Sequence, residues 1–174
     1  IHISTDFLFH GAFNRPIDES AKISPVGVYA ESKAAGEQAL LAEKVPSTIV
    51  RTSWLYSEFN ANFMKTMIRL GREKPEVRVI ADQHGSPTYA VDLARGLWQM
   101  VSQLRSKPPK NPTAEIYHFS NFGVTTWYDF ATAILGIAGL RTPVEPILTD
   151  EYPLPTPRPA YSALWPRKFS RDFR

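Results

Sequence analysis

Val28-Tyr29-Ala30-Glu31-Ser32-Lys33 decides how the rest of the chain reads, together with Ser4-Thr5-Asp6 a short way upstream. Tyr29 and Lys33 stand four residues apart in a segment of helical composition, so both side chains fall on one face, one turn apart. A phenol is a poor acid at neutral pH, with an ordinary pKa of about 10. A fixed ammonium beside it favours the phenolate, so such a pair passes a proton to or from a substrate oxygen. A nearby Ser or Thr hydroxyl can hold that oxygen in place. These are the parts of a carbonyl-reduction site with neither metal nor covalent nucleophile. Tyr-x-x-x-Lys alone is weak, because ordinary surface helices carry it by chance. Here a strand ending in Ser-Thr-Asp precedes it and a strand ending in Thr52-Ser53-Trp54 follows. That context favours the functional reading.

Working outward, Ile1 to Phe9 is apolar and β-prone and reads as a buried strand whose end presents polar groups. Ser24-Pro25 can open a helix, although Gly27 moves its start towards Val28. Ala30 to Glu43, rich in Ala, Leu, Glu and Lys, is predicted as helix, and Ser47 to Leu55 as the next strand. Strand, helix and strand at this spacing predict a parallel βαβ crossover. Further on, helices are expected over Asn62 to Arg72, from an Asp92 cap to about Leu104, and from Thr125 or Thr126 to near Gly139. Strands are expected at Val77 to Ala81, Glu115 to Ser120 and around Val144 to Leu148. Asp82 to Thr88 reads as a turn-rich loop, and Lys107 to Pro112 as a surface linker. The strands are too few for a complete doubly wound sheet. The chain opens inside Ile1-His2-Ile3, as a fragment does, and the missing strands are expected before residue 1.

Composition narrows the function classes. The chain has 174 residues, 43% hydrophobic and 21% charged, with 15 prolines concentrated in loops and the last third. That is enough for one globular domain with a real core. No apolar run reaches membrane-spanning length, and no charged-then-apolar leader is read in this stretch, which says little because the sequence does not open on Met. The absence of cysteine excludes disulfides and thiol catalysis and fits a reducing compartment. The net charge of +3 gathers at Arg158, Arg167, Lys168, Arg171 and Arg174. With no nucleic-acid module beside it, it reads as a solvated surface with affinity for small anions.

Ser4 to Phe9, Tyr29 to Glu37 and Arg51-Thr52-Ser53-Trp54-Leu55-Tyr56 together resemble the extended short-chain dehydrogenase/reductases. More narrowly, Asn62 to Met67, Asp82-Gln83-His84-Gly85-Ser86-Pro87-Thr88 and Asp92-Leu93-Ala94 resemble the dTDP-4-dehydrorhamnose reductases. Tyr117 to Ser120, Thr126 to Ala131 and the stretch from Tyr152-Pro153 to Arg158-Pro159 continue the match in order, to about Phe169. The resemblance implies an α/β fold: the C-terminal part of an NAD(P)-binding, Rossmann-like doubly wound parallel sheet plus a smaller substrate-binding lobe. Residues 1–56 would complete the dinucleotide-binding domain. Residues 57–174 would form mainly the substrate lobe, with about 91–120 returning to the sheet. The implied reaction transfers a hydride from NADPH or NADH to the 4-keto group of dTDP-6-deoxy-L-lyxo-4-hexulose. The product is dTDP-L-rhamnose, a cytoplasmic precursor of cell-surface polysaccharide such as lipopolysaccharide. Carried over by position, Tyr29 donates the proton, Lys33 favours its phenolate and bonds the nicotinamide ribose, and Thr5 places the reacting oxygen. Ile3 would contact the cofactor. Asp6, Trp54, Asn62, Phe63 and Arg158 would contact the dTDP-sugar. A Mg2+ ion comes with the resemblance, without an identifiable site, and a homodimer stays open.

Each assignment has a plainer counterpart. Asp6 can terminate a strand and Trp54 can be core. Asn62 can be a helix cap, as Asp92 is expected to be, and Arg158 can hold a surface ion pair. His84 and His118 lack partner spacing for a metal and read as structural or solvated. His10 and Ser57-Glu58-Phe59 depart from the family pattern in loops, away from the chemistry. No two of the nine glycines form G-x-G, so the pyrophosphate-binding loop is not in this stretch, and these residues alone are expected to bind cofactor poorly. A nucleotide-sugar epimerase or dehydratase of the same superfamily, and a catalytically silent dinucleotide-binding regulatory subunit, are the competing readings.

Overall fold

The computed structural model describes residues 1–43, 45–107, 113–152 and 156–173. Strand β1 (His2–Thr5) runs into a short 3-10 turn at Asp6–Leu8 and then a loop leading to helix α1 (Val28–Ala42). The expected strand through Phe9 stops early because the Thr5 hydroxyl accepts a hydrogen bond from the Phe7 N–H at 3.2 Å and caps that turn. Gly27 precedes α1 at φ 85°, where a Cβ would also stand 2.8 Å from Thr156. Glycine alone suits both demands.

After α1 the chain enters β2 (Thr48–Thr52), every residue of which is buried. Trp54 then adopts φ 45°, which ends the strand three residues short of the expected Leu55. β3 (Leu55–Tyr56), α2 (Phe63–Glu73), β4 (Val77–Ile80), β5 (His84–Gly85), β6 (Thr88–Tyr89) and α3 (Ala90–Ser106) follow. α3 is capped from outside. Asn121 Oδ1 accepts from the Tyr89 N–H at 2.7 Å, while its amide donates to Asp92 at 2.9 Å. Asp92 therefore sits inside the first turn, where a carboxylate meets the positive helix end, and is not the expected cap. The chain closes with β7 (Glu115–Phe119), β8 (Thr125–Thr126), α4 (Trp127–Ile137), β9 (Val144–Ile147) and α5 (Arg167–Asp172). Lys107 ends α3, and the remainder of the expected linker, residues 108–112, lies outside the described residues.

The main sheet is parallel, ordered β1-β2-β7, with Thr5 opposite Thr52 and Thr52 opposite Phe119. On one face Val50 and Tyr117 pack with Leu93, Met100, Phe169 and Phe173 from α3, α5 and the residue after α5. On the other, Leu8, Phe9, Ile17, Ala34 and Leu164 form a second cluster around α1. A separate core joins α2 and α4 to the parallel pair β4-β9 through Met67, Val77, Val79, Ala131, Ile134 and Leu135. β3 and β6 form a further parallel pair, with Leu55 opposite Thr88 and Tyr56 opposite Tyr89. The segment Ala160–Trp165 stitches the main sheet and the separate core together: Ser162 N–H donates to His84 C=O and Trp165 N–H to Ile17 C=O, each at 2.8 Å. The carboxyl ends of β1 and β2 thus open towards the second core, the place where open α/β sheets bind ligands.

Candidate active site

β1 and β2 end side by side, and their last residues point into one cleft of about 330 Å³. Ile3, Ser4, Thr5, Asp6 and Phe7 line it from β1 and the turn after it. Thr52, Ser53, Trp54 and Leu55 come from the end of β2, Tyr29 and Lys33 from the first turns of α1, and Trp127 from the start of α4. Six of the singled-out residues therefore meet: Ile3, Thr5, Asp6, Tyr29, Lys33 and Trp54.

Lys33 Nζ donates to the Ile3 carbonyl at 2.6 Å. The contact fixes a long side chain that otherwise samples many rotamers and holds the ammonium against strand β1. Tyr29 stays half-exposed, its ring edge-to-face with Phe7 at 5.7 Å. Thr5 is buried. Its hydroxyl both accepts from Phe7 N–H and faces Asp6 Oδ1 at 3.3 Å.

Asp6 is 3% exposed, and Ser162 donates to its Oδ2 at 2.6 Å. Burial pushes its carboxyl up to about 6, although the bonds from Ser162, its own backbone and Thr5 oppose that rise. A buried carboxylate needs such partners. Asp6 therefore ties the end of β1 to the C-terminal segment as well as lining the cleft.

Trp54 owes its position to backbone geometry. At φ 45° it turns its indole over Gly85, where an added Cβ would lie 2.4 Å from the ring. The indole stacks on Trp127 with centroids 3.5 Å apart and planes 11° apart, an apolar pair at one side of the cleft. Trp127 carried no assignment from sequence, since an aromatic residue at the first position of a helix is an ordinary packing residue. Only the meeting of α4 with the β2 end brings it into the cleft.

Asn62 and Phe63 do not line this cleft. Asn62 Oδ1 accepts from Lys65 N–H at 3.2 Å, and its amide donates to Ser57 C=O at 2.7 Å, so both ends of the side chain are engaged in capping α2. Phe63 packs 4.5 Å from the Trp127 ring and 5.6 Å from Phe130, behind the indole pair. Arg158 is exposed and forms no ion pair among the described residues. It shares a small pocket with Phe7, Trp54, Trp127 and Ser162, and a neighbouring cleft of about 270 Å³ with Gln83, Thr149 and Asp150. A guanidinium there extends the site away from Tyr29.

His118 is fully buried and structural. Burial and the Arg51 guanidinium bring it down to about 3, so it is neutral. Its Nδ1 lies 2.9 Å from the Ile17 carbonyl, which assigns the proton to Nδ1. His84 is exposed and stacks on Tyr161 at 5.9 Å. Among the described residues, no group of three or more His, Asp or Glu stands close enough to hold a metal ion. The Mg2+ implied by resemblance thus has no residues assigned here. No described helix is long and apolar enough to cross a membrane.

The model of the family described as the RmlD substrate binding domain matches residues 1–174. Similar proteins include the spore coat polysaccharide biosynthesis protein SpsK of Bacillus subtilis, 45% identical over 94% of this chain and 55% of that protein. The dTDP-4-dehydrorhamnose reductase of Salmonella typhimurium is 38% identical over 99% of this chain and 59% of its own length. Among solved structures, the dTDP-4-dehydrorhamnose reductase of Bacillus anthracis in complex with NADP is 39% identical. It aligns with a TM-score of 0.85 over 99% of this chain and 59% of that one. The chain spans between 55% and 59% of the length of these relatives. Matched from its first residue to its last, it belongs to the RmlD substrate binding domain family.

Proposed function

We propose that the protein carrying this chain is an NAD(P)H-dependent reductase of a dTDP-4-keto-6-deoxy sugar, the dTDP-4-dehydrorhamnose reductase reaction. The convergence of Thr5, Tyr29, Lys33 and Trp54 on one cleft at the carboxyl ends of two parallel strands carries this reading. The donor set suits the cofactor: the Tyr29 phenol, the Lys33 ammonium and the Ile3 carbonyl meet where ribose hydroxyls can both donate and accept. When bound, NADPH or NADH supplies the hydride that adds to C4 of the sugar.

Tyr29 delivers its proton to the C4 oxygen as negative charge develops there. Lys33, held on the Ile3 carbonyl, keeps a positive charge beside the phenol and favours that transfer. Thr5 hydroxyl positions the same oxygen. Trp54 and Trp127 wall one side of the sugar and exclude water. Arg158, a planar donor of bidentate bonds, is placed to take the diphosphate. In this reading residues 1–56 complete the cofactor domain, and most of the remainder shapes the substrate lobe. Asn62 seats α2 without bearing on the sugar, and Phe63 backs the Trp127 wall. The exposed phenol favours an enzyme over a silent regulatory subunit.

The test is NAD(P)H oxidation that depends on the dTDP-4-keto sugar, measured on the full-length protein. Tyr29→Phe lowers turnover by about two to four orders of magnitude, the range of a lost general acid, while cofactor still binds. Full activity in that variant refutes the assignment.

A further inference from the structure

Helix α1 carries the proton-transfer pair, yet among the described residues little apolar side chain holds it down. Its buried residues are Ala30, Ala34 and Glu37. Two alanines make a smooth surface, and hydrophobic burial has no direction, so they do not resist sliding or rotation of the helix. A slip of one residue turns the helix by about 100° and carries Tyr29 away from the cleft.

Directional contacts do resist it. Tyr29, Lys33 and Glu37 are spaced four apart and share one helix face. Lys33 donates to the carbonyl of Ile3 on β1. One turn later, about 6 Å along the axis, Glu37 receives both arms of Arg51 from β2. Nε donates to Oε1 at 2.9 Å and Nη2 to Oε2 at 2.6 Å. The side chains are 4% and 1% exposed. Arg51 is held in turn: His118 Nε2 lies 3.4 Å from its Nη1, and the guanidinium lies over the Phe9 ring, 5.3 Å from the centroid. In register, Arg51 stands between Ser4 and His118 across the sheet. Successive turns of α1 are therefore clamped to successive strands.

We propose that Glu37 and Arg51 are positioning residues, a buried fork that sets the register of α1 on the sheet and so fixes Tyr29 and Lys33 over the cleft. The proposal rests on the reading of Tyr29 as proton donor. A buried ion pair contributes little net stability against apolar residues of similar volume, and its best-attested use is to specify one arrangement over its neighbours. Here the arrangement specified is that of the helix bearing the chemistry.

Two variants of the full-length protein test this: the double variant Glu37→Leu/Arg51→Met, which replaces the fork by apolar volume, and Arg51→Lys, which keeps charge but loses the fork. Turnover is normalised to sites that bind cofactor, and its pH profile is recorded, because a loss of folded molecules alone moves neither. The double variant is expected to fold and bind cofactor, yet to lose about a hundredfold in normalised kcat, the effect of an ångström-scale misplacement. Its pH profile is displaced, and Arg51→Lys falls between. Amide hydrogen exchange over Val28–Gly36 without substrate reads the seating of α1 independently of turnover and is expected to accelerate. Parental normalised kcat, pH profile and exchange in the double variant overturn the proposal. If that variant does not fold, the same three results in Arg51→Lys overturn it. Failure of the proton-donor reading shows separately, as activity in Tyr29→Phe.

Discussion

Asp6 is the side chain whose environment has the clearest consequence in solution. Buried against Ser162 and Thr5, it keeps its proton up to about pH 6, whereas its ordinary value is 3.8. Between those two pH values the unfolded chain binds fewer protons than the folded one, so stability falls as pH rises. The contribution is complete below pH 4, where both states are protonated, and is lost as pH passes 6. The shift corresponds to about 3 kcal/mol between the extremes. Asp6→Asn keeps an acceptor for Ser162 without the charge. Thermal unfolding of parent and variant from pH 4 to 7 is expected to show a difference that grows in favour of the variant as pH rises. A difference independent of pH contradicts the assignment. Turnover falls in the same variant if the ionised carboxylate serves the sugar.

At the scale of elements, Asn62 separates two roles that its sequence position leaves entangled. Its oxygen caps α2 and its amide holds the loop from Ser57. Asn62→Ala is expected to cost about 1 kcal/mol, the loss of an N-cap, seen as a lower denaturation midpoint. KM for the dTDP-sugar should not change, and a raised KM with unaltered stability would place Asn62 on the substrate instead. Long elements with strong local signals were legible in the sequence. α1, α2 and α4 follow from their periodic and helix-forming residues, and Thr126 caps α4 by accepting from Asp129 N–H at 3.0 Å. β2 and β7 follow from their β-branched and aromatic runs. The two-residue strands β3, β5, β6 and β8 were not legible, because each exists only through its partner across the fold. The six-residue α5 has no periodic stretch long enough to read, and tertiary contacts of Phe169 hold it in place. The cap of α3 was misread because its donor and acceptor sit on Asn121, some thirty residues away. The same holds within the site. Tyr29 and Lys33 share a turn and announce themselves, while Trp127, Ser162 and the Glu37–Arg51 fork acquire roles only when distant segments meet.

The described residues form two packed bodies joined at the cleft, with the 160–165 segment crossing between them. One indole of the stacked pair comes from the end of β2 in the main sheet, the other from α4 in the second core. Two such chromophores, face to face at 3.5 Å, are close enough to couple their excited states, and a circular-dichroism couplet is the expected outcome. The molecule therefore carries a built-in optical gauge of how its two bodies are seated. Trp127→Phe is expected to abolish the couplet with the helical signal retained. A couplet that survives in that variant would mean the indoles are not stacked in solution. Titrating the dTDP-sugar into the parent should perturb the couplet, so that filling of the cleft is read without label, cofactor or turnover.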